Sequence, residues 1–159
     1  VDDDSEMGLR LAFDFDKVLV NEESEEVFEK ETFEAYQDHE ATKAEIPHSP
    51  GPLKRFFAEI AKVKQELADD DGNSPVSISI VTARDLSVAE RTVKTLRSWG
   101  VEVDKSFYLG GVEKSRVLKE LKPHIFFDDS MGNLSGASEY VPSVHIPFDG
   151  KSSIGEKKK

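Results

Sequence analysis

The sequence contains no cysteine, and this absence excludes several chemistries at once. Among its 159 residues there is no thiol, so disulfides, thiolate nucleophiles and cysteine-ligated zinc or iron–sulfur sites are excluded. A chain of this size buries roughly two thirds of its unfolded surface, so it needs no such cross-link to be stable. At the usual size of about 100–200 residues per domain, the length favours one domain covering residues 1–159.

Basic residues and long apolar runs are also scarce. The chain has 21 Lys and Arg against 32 Asp and Glu, a formal net charge of −11 with neutral histidines. Binding to a phosphate backbone needs clustered positive charge, so we expect no nucleic-acid partner. The apolar runs are far shorter than the roughly 18 residues of a membrane span, and the acidic start VDDD is unlike a signal peptide. We therefore expect a soluble, cytoplasmic protein with no membrane partner.

Four short apolar segments predict the strands of a buried parallel sheet. They are brief and rich in β-branched or aromatic residues, as strands covered on both faces are. These segments are Leu9–Phe15, Ser77–Val81, Ile125–Phe127 and Val144–Ile146. Apolar residues at three- and four-residue steps predict helices between them, over about 53–67, 86–96 and 114–121. The alternation predicts an α/β fold with a three-layer αβα, Rossmann-like core.

The segment of about 22–50 interrupts this alternation. It is rich in Glu, follows the first strand directly and carries the weak apolar stripe Val27, Phe28, Phe33 and Tyr36. We predict a small helical cap inserted after the first strand. An ordinary crossover helix followed by a long loop is the alternative.

Polar residues follow the predicted strands at the edge where open parallel sheets bind ligands. In chain order these are an acid pair (Asp14 and Asp16), a hydroxyl (Thr82, followed by Ala83 and Arg84), a lysine (Lys114) and a second acid pair (Asp128 and Asp129). Alternate residues of an extended segment project the same way, so the first two carboxylates should face one point. Each group alone is also typical of a surface turn or a helix cap. The joint arrangement predicts a site.

This arrangement resembles the four motifs of the haloacid dehalogenase superfamily of phosphotransferases. Over about Leu9 to Pro147 the chain is similar to the catalytic half of the cytosolic type I 5′-nucleotidases. The similar stretches are LAFDFDKVLVNEESEEVF, HE at His39, GPLKRF, VTARD, KTLRSWGVEVD and PHIFFDD. Phe15 and Lys17 stand where small residues are expected in that family, so the floor of the pocket should differ. Members usually carry a further N-terminal half, so we expect a shortened relative or a fragment.

The resemblance implies a haloacid dehalogenase-like fold and a Mg²⁺-dependent 5′-nucleotidase. It would hydrolyse nucleoside 5′-monophosphates to nucleoside and phosphate through an aspartyl phosphate, with Asp14 as nucleophile and Asp16 as general acid and base. A phosphate ester brings about two negative charges to four carboxyl groups, and such a site needs cations. The expected metal ligands are Asp14, the Asp16 carbonyl and the second acid pair, of which either Asp128 or Asp129 is the direct ligand. The expected phosphate contacts are Phe15, Thr82, Ala83, Arg84 and Lys114, with Thr82 and Lys114 also assisting catalysis.

The cap should choose the substrate, because the core contacts only the phosphate. Candidates for base or ribose contacts, each also explained by packing or solvent exposure, are Phe33, Tyr36, His39, Lys43 and Lys54. Arg84 could reach the phosphate or pair with an acid at the rim.

Three other functions stay open. One is a phosphatase for another small phosphate ester, with the same core and a different cap. Another is a phospho-accepting receiver domain, although there the lysine comes last, whereas here an acid pair follows Lys114. The third is a non-catalytic nucleotide- or metal-binding relative, which Phe15, Lys17 and the missing N-terminal half leave open.

Overall fold

The fold is organised around one parallel sheet. The computed structural model describes residues 8–148. Its strands are β1 (Leu9–Phe13), β2 (Val76–Thr82), β3 (Lys105–Tyr108), β4 (Ile125–Asp128) and β5 (Ser143–His145). They lie in the order β3-β2-β1-β4-β5, and every pairing is parallel. With helices flanking this sheet, the predicted Rossmann-like α/β core is confirmed.

Helices connect the strands and cover both faces of the sheet. They are α1 (Glu23–Lys30), α2 (Phe33–Thr42), α3 (Lys54–Glu66), α4 (Ala89–Ser98), α5 (Lys114–Leu121) and α6 (Met131–Ala137), and a short 3₁₀ helix, Leu86–Val88, precedes α4. Within residues 8–148, no helix is long and apolar enough to cross a membrane.

Two adjacent phenylalanines show how the sheet divides the core. Consecutive strand residues point to opposite faces. Phe127 therefore stacks on Phe13 with ring centroids 4.8 Å apart, on the face that Phe57 of α3 covers edge-on at 5.1 Å. Phe126 lies on the other face, in the cluster that includes Leu118 of α5. The carboxyl edge between these two layers stays open to a ligand.

Two elements were missing from the sequence prediction, β3 and α6. Strand β3 has only four residues, pairs on one side only, and is partly exposed, so it carries no continuous apolar run. Helix α6 has the sequence MGNLSGA, and its two glycines are poor helix formers. Neither element produces the periodic apolar pattern on which the prediction depends.

The end of the first strand was also predicted wrongly. Strand β1 ends at Phe13 rather than Phe15, although the Asp14 backbone N–H still donates to the Phe127 carbonyl at 2.8 Å. The chain then turns sharply, with Lys17 in the left-handed region at φ 60°. Asp14 and Asp16 therefore do not lie on one extended segment, and their side chains turn to different partners.

The predicted apolar face of the helix over 86–96 was largely wrong as well: of Leu86, Ala89, Val93 and Leu96, only Leu96 is buried. Leu86 is 70% exposed, and the buried residues of α4 are Arg91, Thr92, Thr95 and Leu96. Arg91 points inward because it pairs with Glu40, a buried acid of α2. Arg91 Nη1 is 3.0 Å from Glu40 Oε1. A charge pair between distant segments therefore determines the orientation of this helix.

Helices α1 and α2 occupy the segment predicted to be a cap. They pack against each other, and Phe28 of α1 meets Tyr36 of α2 with ring centroids 5.3 Å apart. Thr32 caps α2 by accepting the Ala35 N–H at 3.2 Å. The assignment of residues 22–50 as an inserted cap stays a prediction.

Candidate active site

A cavity of about 440 Å³ opens at the carboxyl edge of the sheet. Loops that follow β1 to β4 contribute its polar wall, which includes Asp14, Asp16, Ala83, Arg84, Gly110, Gly111, Lys114 and Asp129. Helices α1 and α2 contribute the opposite wall, with Glu25, Phe28, Phe33 and Tyr36. The topology thus brings most of the predicted site residues to one cavity.

Lys114 lies between two buried carboxylates. Its Nζ is 2.8 Å from Asp14 Oδ1 and 2.7 Å from Asp128 Oδ2. The acids lie side by side because Phe13 and Phe127, which precede them, are partners in the sheet. Burial would lower the pKa of Lys114, but the two carboxylates outweigh it and raise that pKa. The lysine is therefore a fixed positive charge beside Asp14.

Asp14 itself is only 6% exposed. Burial raises the pKa of its carboxyl to about 8; the Lys114 ammonium opposes this rise, and the charge of Asp128 adds to it. Without a further cation, Asp14 therefore holds a proton at neutral pH. An ionised Asp14, as expected of a nucleophile, requires additional positive charge in the site.

The second acid pair divides into a buried and a cavity-facing member. Asp128 is fully buried and accepts hydrogen bonds from Lys114, the Ser130 N–H at 2.7 Å and Asn133 Nδ2 at 3.1 Å. Asp129 is partly exposed and lines the cavity. Burial and the charge of Asp128 raise the pKa of Asp129. The sequence analysis missed Ser130 and Asn133. Serine is a common residue at the start of a helix, and Ser130 does cap α6 by accepting the Asn133 N–H.

The acids also suit a hard divalent cation. Asp14, Asp128 and Asp129 can each offer a carboxylate oxygen, and these oxygens lie within 4.8 Å of one another. Mg²⁺ prefers such oxygen ligands, so the donor set fits the metal that the sequence predicts. The Asp16 carboxylate is not one of these three groups, because it turns toward Arg84.

Arg84 holds Asp16 in a two-point ion pair. Nε donates to Asp16 Oδ2 at 2.8 Å and Nη2 donates to Oδ1 at 2.6 Å, while the guanidinium carbon is 5.0 Å from the centroid of the Phe15 ring. Of the two interpretations of Arg84, the pairing with an acid is observed. Arg84 also lines the cavity, and its contact with phosphate stays a prediction.

Thr82 and Phe15 lie behind the cavity wall. Thr82 ends β2 fully buried, and its Oγ1 accepts the Arg84 N–H at 3.2 Å. The Phe15 ring is also fully buried and meets His48 edge-on at 5.6 Å. Lys17 pairs with Glu25 at 3.1 Å. The Phe15 ring therefore packs in the core, and the phosphate contacts expected of Phe15 and Thr82 stay predictions.

The other wall of the cavity is aromatic. Phe28 is 53% exposed and Phe33 is 46% exposed, while Tyr36 is buried against both rings. Sequence reasoning proposed Phe33 and Tyr36 as substrate contacts but not Phe28. His39 and Lys43 turn to Glu23, and Lys54 lies over the Trp99 ring at 5.5 Å. None of these last three predicted contacts lines the cavity.

Comparison of the sequence with known proteins finds similarity to 5′-nucleotidases. The family model for 5′-nucleotidase matches residues 1–153. Human cytosolic 5′-nucleotidase 1B is 36% identical over 148 residues, which cover 91% of this chain and 24% of that protein. This chain thus spans about a quarter of that relative's length. One chain of the Pnkp1/Rnl/Hen1 complex superposes with a TM-score of 0.57 at 12% identity, covering 93% of this chain and 49% of that one. At that identity the likeness supports the fold alone.

Proposed function

The chain belongs to the 5′-nucleotidase family, and from this premise we propose that it hydrolyses nucleoside 5′-monophosphates to nucleoside and phosphate. The observation that carries the proposal is the cavity's two unlike walls. One wall presents Asp14 paired with Lys114, and the other presents Phe28 and Phe33. The first suits a phosphoryl group and the second suits a flat base. We also propose a cytoplasmic location, supported by the cytosolic relative.

In the proposed reaction Asp14 attacks phosphorus. A bond forms between its carboxylate oxygen and phosphorus, and the bond from phosphorus to the nucleoside oxygen breaks. Asp16 gives the departing oxygen a proton. Water then attacks the aspartyl phosphate and gives a proton to Asp16, which frees phosphate and restores Asp14. Lys114 offsets part of the negative charge that gathers between the acids.

Mg²⁺ fits the oxygen donors of Asp14, Asp128 and Asp129, and we propose that these residues hold it together with the Asp16 carbonyl. When bound, it supplies positive charge that favours the ionised form of Asp14 and offsets the charge of the phosphate. Lys114 remains in contact with both Asp14 and Asp128 at the back of the site.

Activity should depend on a divalent cation, and loading the cation should release a proton. The pKa of Asp14 is about 8 in the cation-free site, so below pH 8 the ligand must lose a proton before it binds metal, and affinity should rise with pH toward 8. Calorimetry of Mg²⁺ binding in two buffers of different ionisation enthalpy measures this release. Ca²⁺ should support little turnover, because its looser shell of roughly 6–8 ligands misplaces the nucleophile. Full activity in excess chelator, after tightly bound metal is removed, would contradict the prediction.

Replacing an aromatic residue of the cavity wall should selectively weaken the binding of nucleotides. Stacking of a base on an aromatic side chain is worth roughly 1–3 kcal/mol, so Phe33→Ala should lower kcat/KM for nucleoside monophosphates by about 5- to 150-fold. Ribose 5-phosphate, which has no base, should be almost unaffected. Tyr140→Ala is the matched control, because Tyr140 is 49% exposed beside the amino ends of the strands. Equal losses on both substrates would favour a phosphatase for another ester.

A further inference from the structure

A buried carboxylate on α2 connects that helix to the site. Glu40 is 2% exposed, yet it belongs to none of the predicted catalytic groups. Its partners are Arg84 Nη1 at 2.7 Å, Arg91 Nη1 at 3.0 Å, Ser24 Oγ at 2.5 Å, His39 Nδ1 at 3.2 Å and His48 Nε2 at 3.3 Å. A carboxylate removed from water persists only with such partners.

Glu40 is ionised in this setting. Burial would raise its pKa, but the neighbouring His48 ring and the positive charge of Arg84 outweigh it and hold that pKa below the usual range. The two arginines come from the loop after β2 and from α4, so one acid of α2 binds two segments of the core. The contact between Glu40 and Arg84 does more than hold α2 in place, because Arg84 also hydrogen-bonds Asp16.

The planar guanidinium of Arg84 donates hydrogen bonds to two acids, Asp16 and Glu40. Nε and Nη2 donate to Asp16, and Nη1 donates to Glu40 at 2.7 Å. Because the guanidinium is rigid, a partner that holds Nη1 also fixes the direction of the edge that faces Asp16. The Phe15 ring, 5.0 Å from the guanidinium carbon, supports the group from its face.

The Asp16 side chain depends on this support because, among the described residues, Arg84 is the group that hydrogen-bonds its carboxylate. It lies beyond the end of β1, beside Lys17 in the left-handed region. Both of its carboxylate oxygens are held by Arg84. We propose that Glu40 is a positioning residue, which fixes Arg84 and through it aims the Asp16 carboxylate at the substrate. This inference rests on the proposed function, in which Asp16 is the acid and base.

The experiment compares leaving groups in the Glu40→Gln variant. With a nucleoside monophosphate, whose leaving oxygen needs a proton, kcat should fall by about 10- to 100-fold with little change in KM, as part of the acid–base contribution is lost. With p-nitrophenyl phosphate, the first-turnover burst of p-nitrophenolate should stay within about threefold of the wild type, because that leaving group needs no proton. Equal effects on both substrates, or no effect on either, would overturn the proposal.

Glu23→Gln is the matched control. Glu23 carries the same charge on the neighbouring helix and belongs to the same cluster, with contacts to Arg91 at 3.4 Å and to Lys43 and His39. Its ion pairs do not include Arg84. It should therefore leave the ratio of the two substrate rates at the wild-type value. A shift in that ratio equal to the Glu40→Gln shift would assign the effect to the cluster as a whole and overturn the proposal.

A second variant and a structure cover the remaining outcomes. If Glu40→Gln does not fold, Glu40→Asp keeps the charge but shortens the reach to Arg84, and it should show the same selective loss to a smaller extent. If the wild type does not hydrolyse nucleotides, the proposed function fails, and crystal structures of the two proteins judge the positioning alone. Loss of the two-point pair between Arg84 and Asp16 in the variant would support it. An unchanged pair, at 2.6 and 2.8 Å, would overturn it.

Discussion

Replacing Asp14 with Asn should abolish the phosphoenzyme and lower kcat on nucleoside monophosphates by about 10⁴- to 10⁶-fold, the range typical for loss of a nucleophile. An amide is a far poorer nucleophile than a carboxylate, so the variant should not form the bond to phosphorus. Intact-mass measurement after rapid acid quench, with a reactive phospho-donor, detects label on the wild type and its absence from the variant. Asp85→Asn is the matched control, because Asp85 lines the same cavity and Asn can still accept the Ser87 N–H.

The same variant should not unfold the protein. The pKa of Asp14 is raised from 3.8 to about 8 in the fold, so the unfolded chain loses this proton first as pH rises. Between about pH 4 and pH 8 the group therefore lowers the stability of the cation-free wild type progressively. Asp14→Asn lacks this pH-dependent loss of stability. Its urea midpoint should therefore exceed that of the wild type at pH 8, and the two midpoints should converge near pH 4. Label on Asp14→Asn would place the nucleophile elsewhere, and an unlabelled wild type with normal turnover would favour direct attack by water.

Replacing Asp16 with Asn should give the opposite labelling pattern. Turnover of nucleoside monophosphates should fall by roughly 10²- to 10⁴-fold, because the acid and base is lost. With a reactive phospho-donor whose leaving group needs no proton, label should accumulate on Asp14, because the water step still lacks its base. The quench measurement used for Asp14→Asn reads this accumulation, and Asp85→Asn again serves as the control.

The result depends on a difference between two chemically identical residues. Asp14 lies against Lys114, whereas Asp16 lies against Arg84, so each acid has its own cation. In Asp16→Asn the side-chain oxygen can still accept one hydrogen bond from Arg84. The amide nitrogen, however, carries hydrogens of its own and places them against the second Arg84 donor. An unlabelled Asp16→Asn together with a labelled Asp14→Asn would exchange the two roles.

The order of the motifs was predictable because it depends on local pattern and topology alone. Short apolar runs identify four of the strands, and the residues that follow them must meet at one edge of a parallel sheet. Asp14, Lys114 and Asp129 therefore reach one cavity as expected. The helix over 54–66 also follows from its own periodicity, because its apolar residues recur at helical steps.

Prediction failed where distant segments decide the outcome. The sequence does not show which face of α4 is buried, because Arg91 turns inward only where Glu40 of α2 is present to receive it. For the same reason the sequence left Arg84 undecided between phosphate and acid. Phe28 was missed as a wall of the cavity because an exposed aromatic residue on a helix has no local signature of binding.

The sequence by itself therefore determined the α/β class, the strands with strong apolar runs and the family of the chain, since all three depend on residue types and spacing along the chain. Only the tertiary structure decided the partners of each charge: Lys114 for Asp14 and Asp128, Arg84 for Asp16, and Glu40 behind Arg84. Burial makes each such pairing strong, and burial arises only when the sheet, α2 and α4 come together. The protonation of Asp14 and the direction of the Asp14 and Asp16 side chains, on which the proposed chemistry depends, are thus properties of the fold and not of the motif.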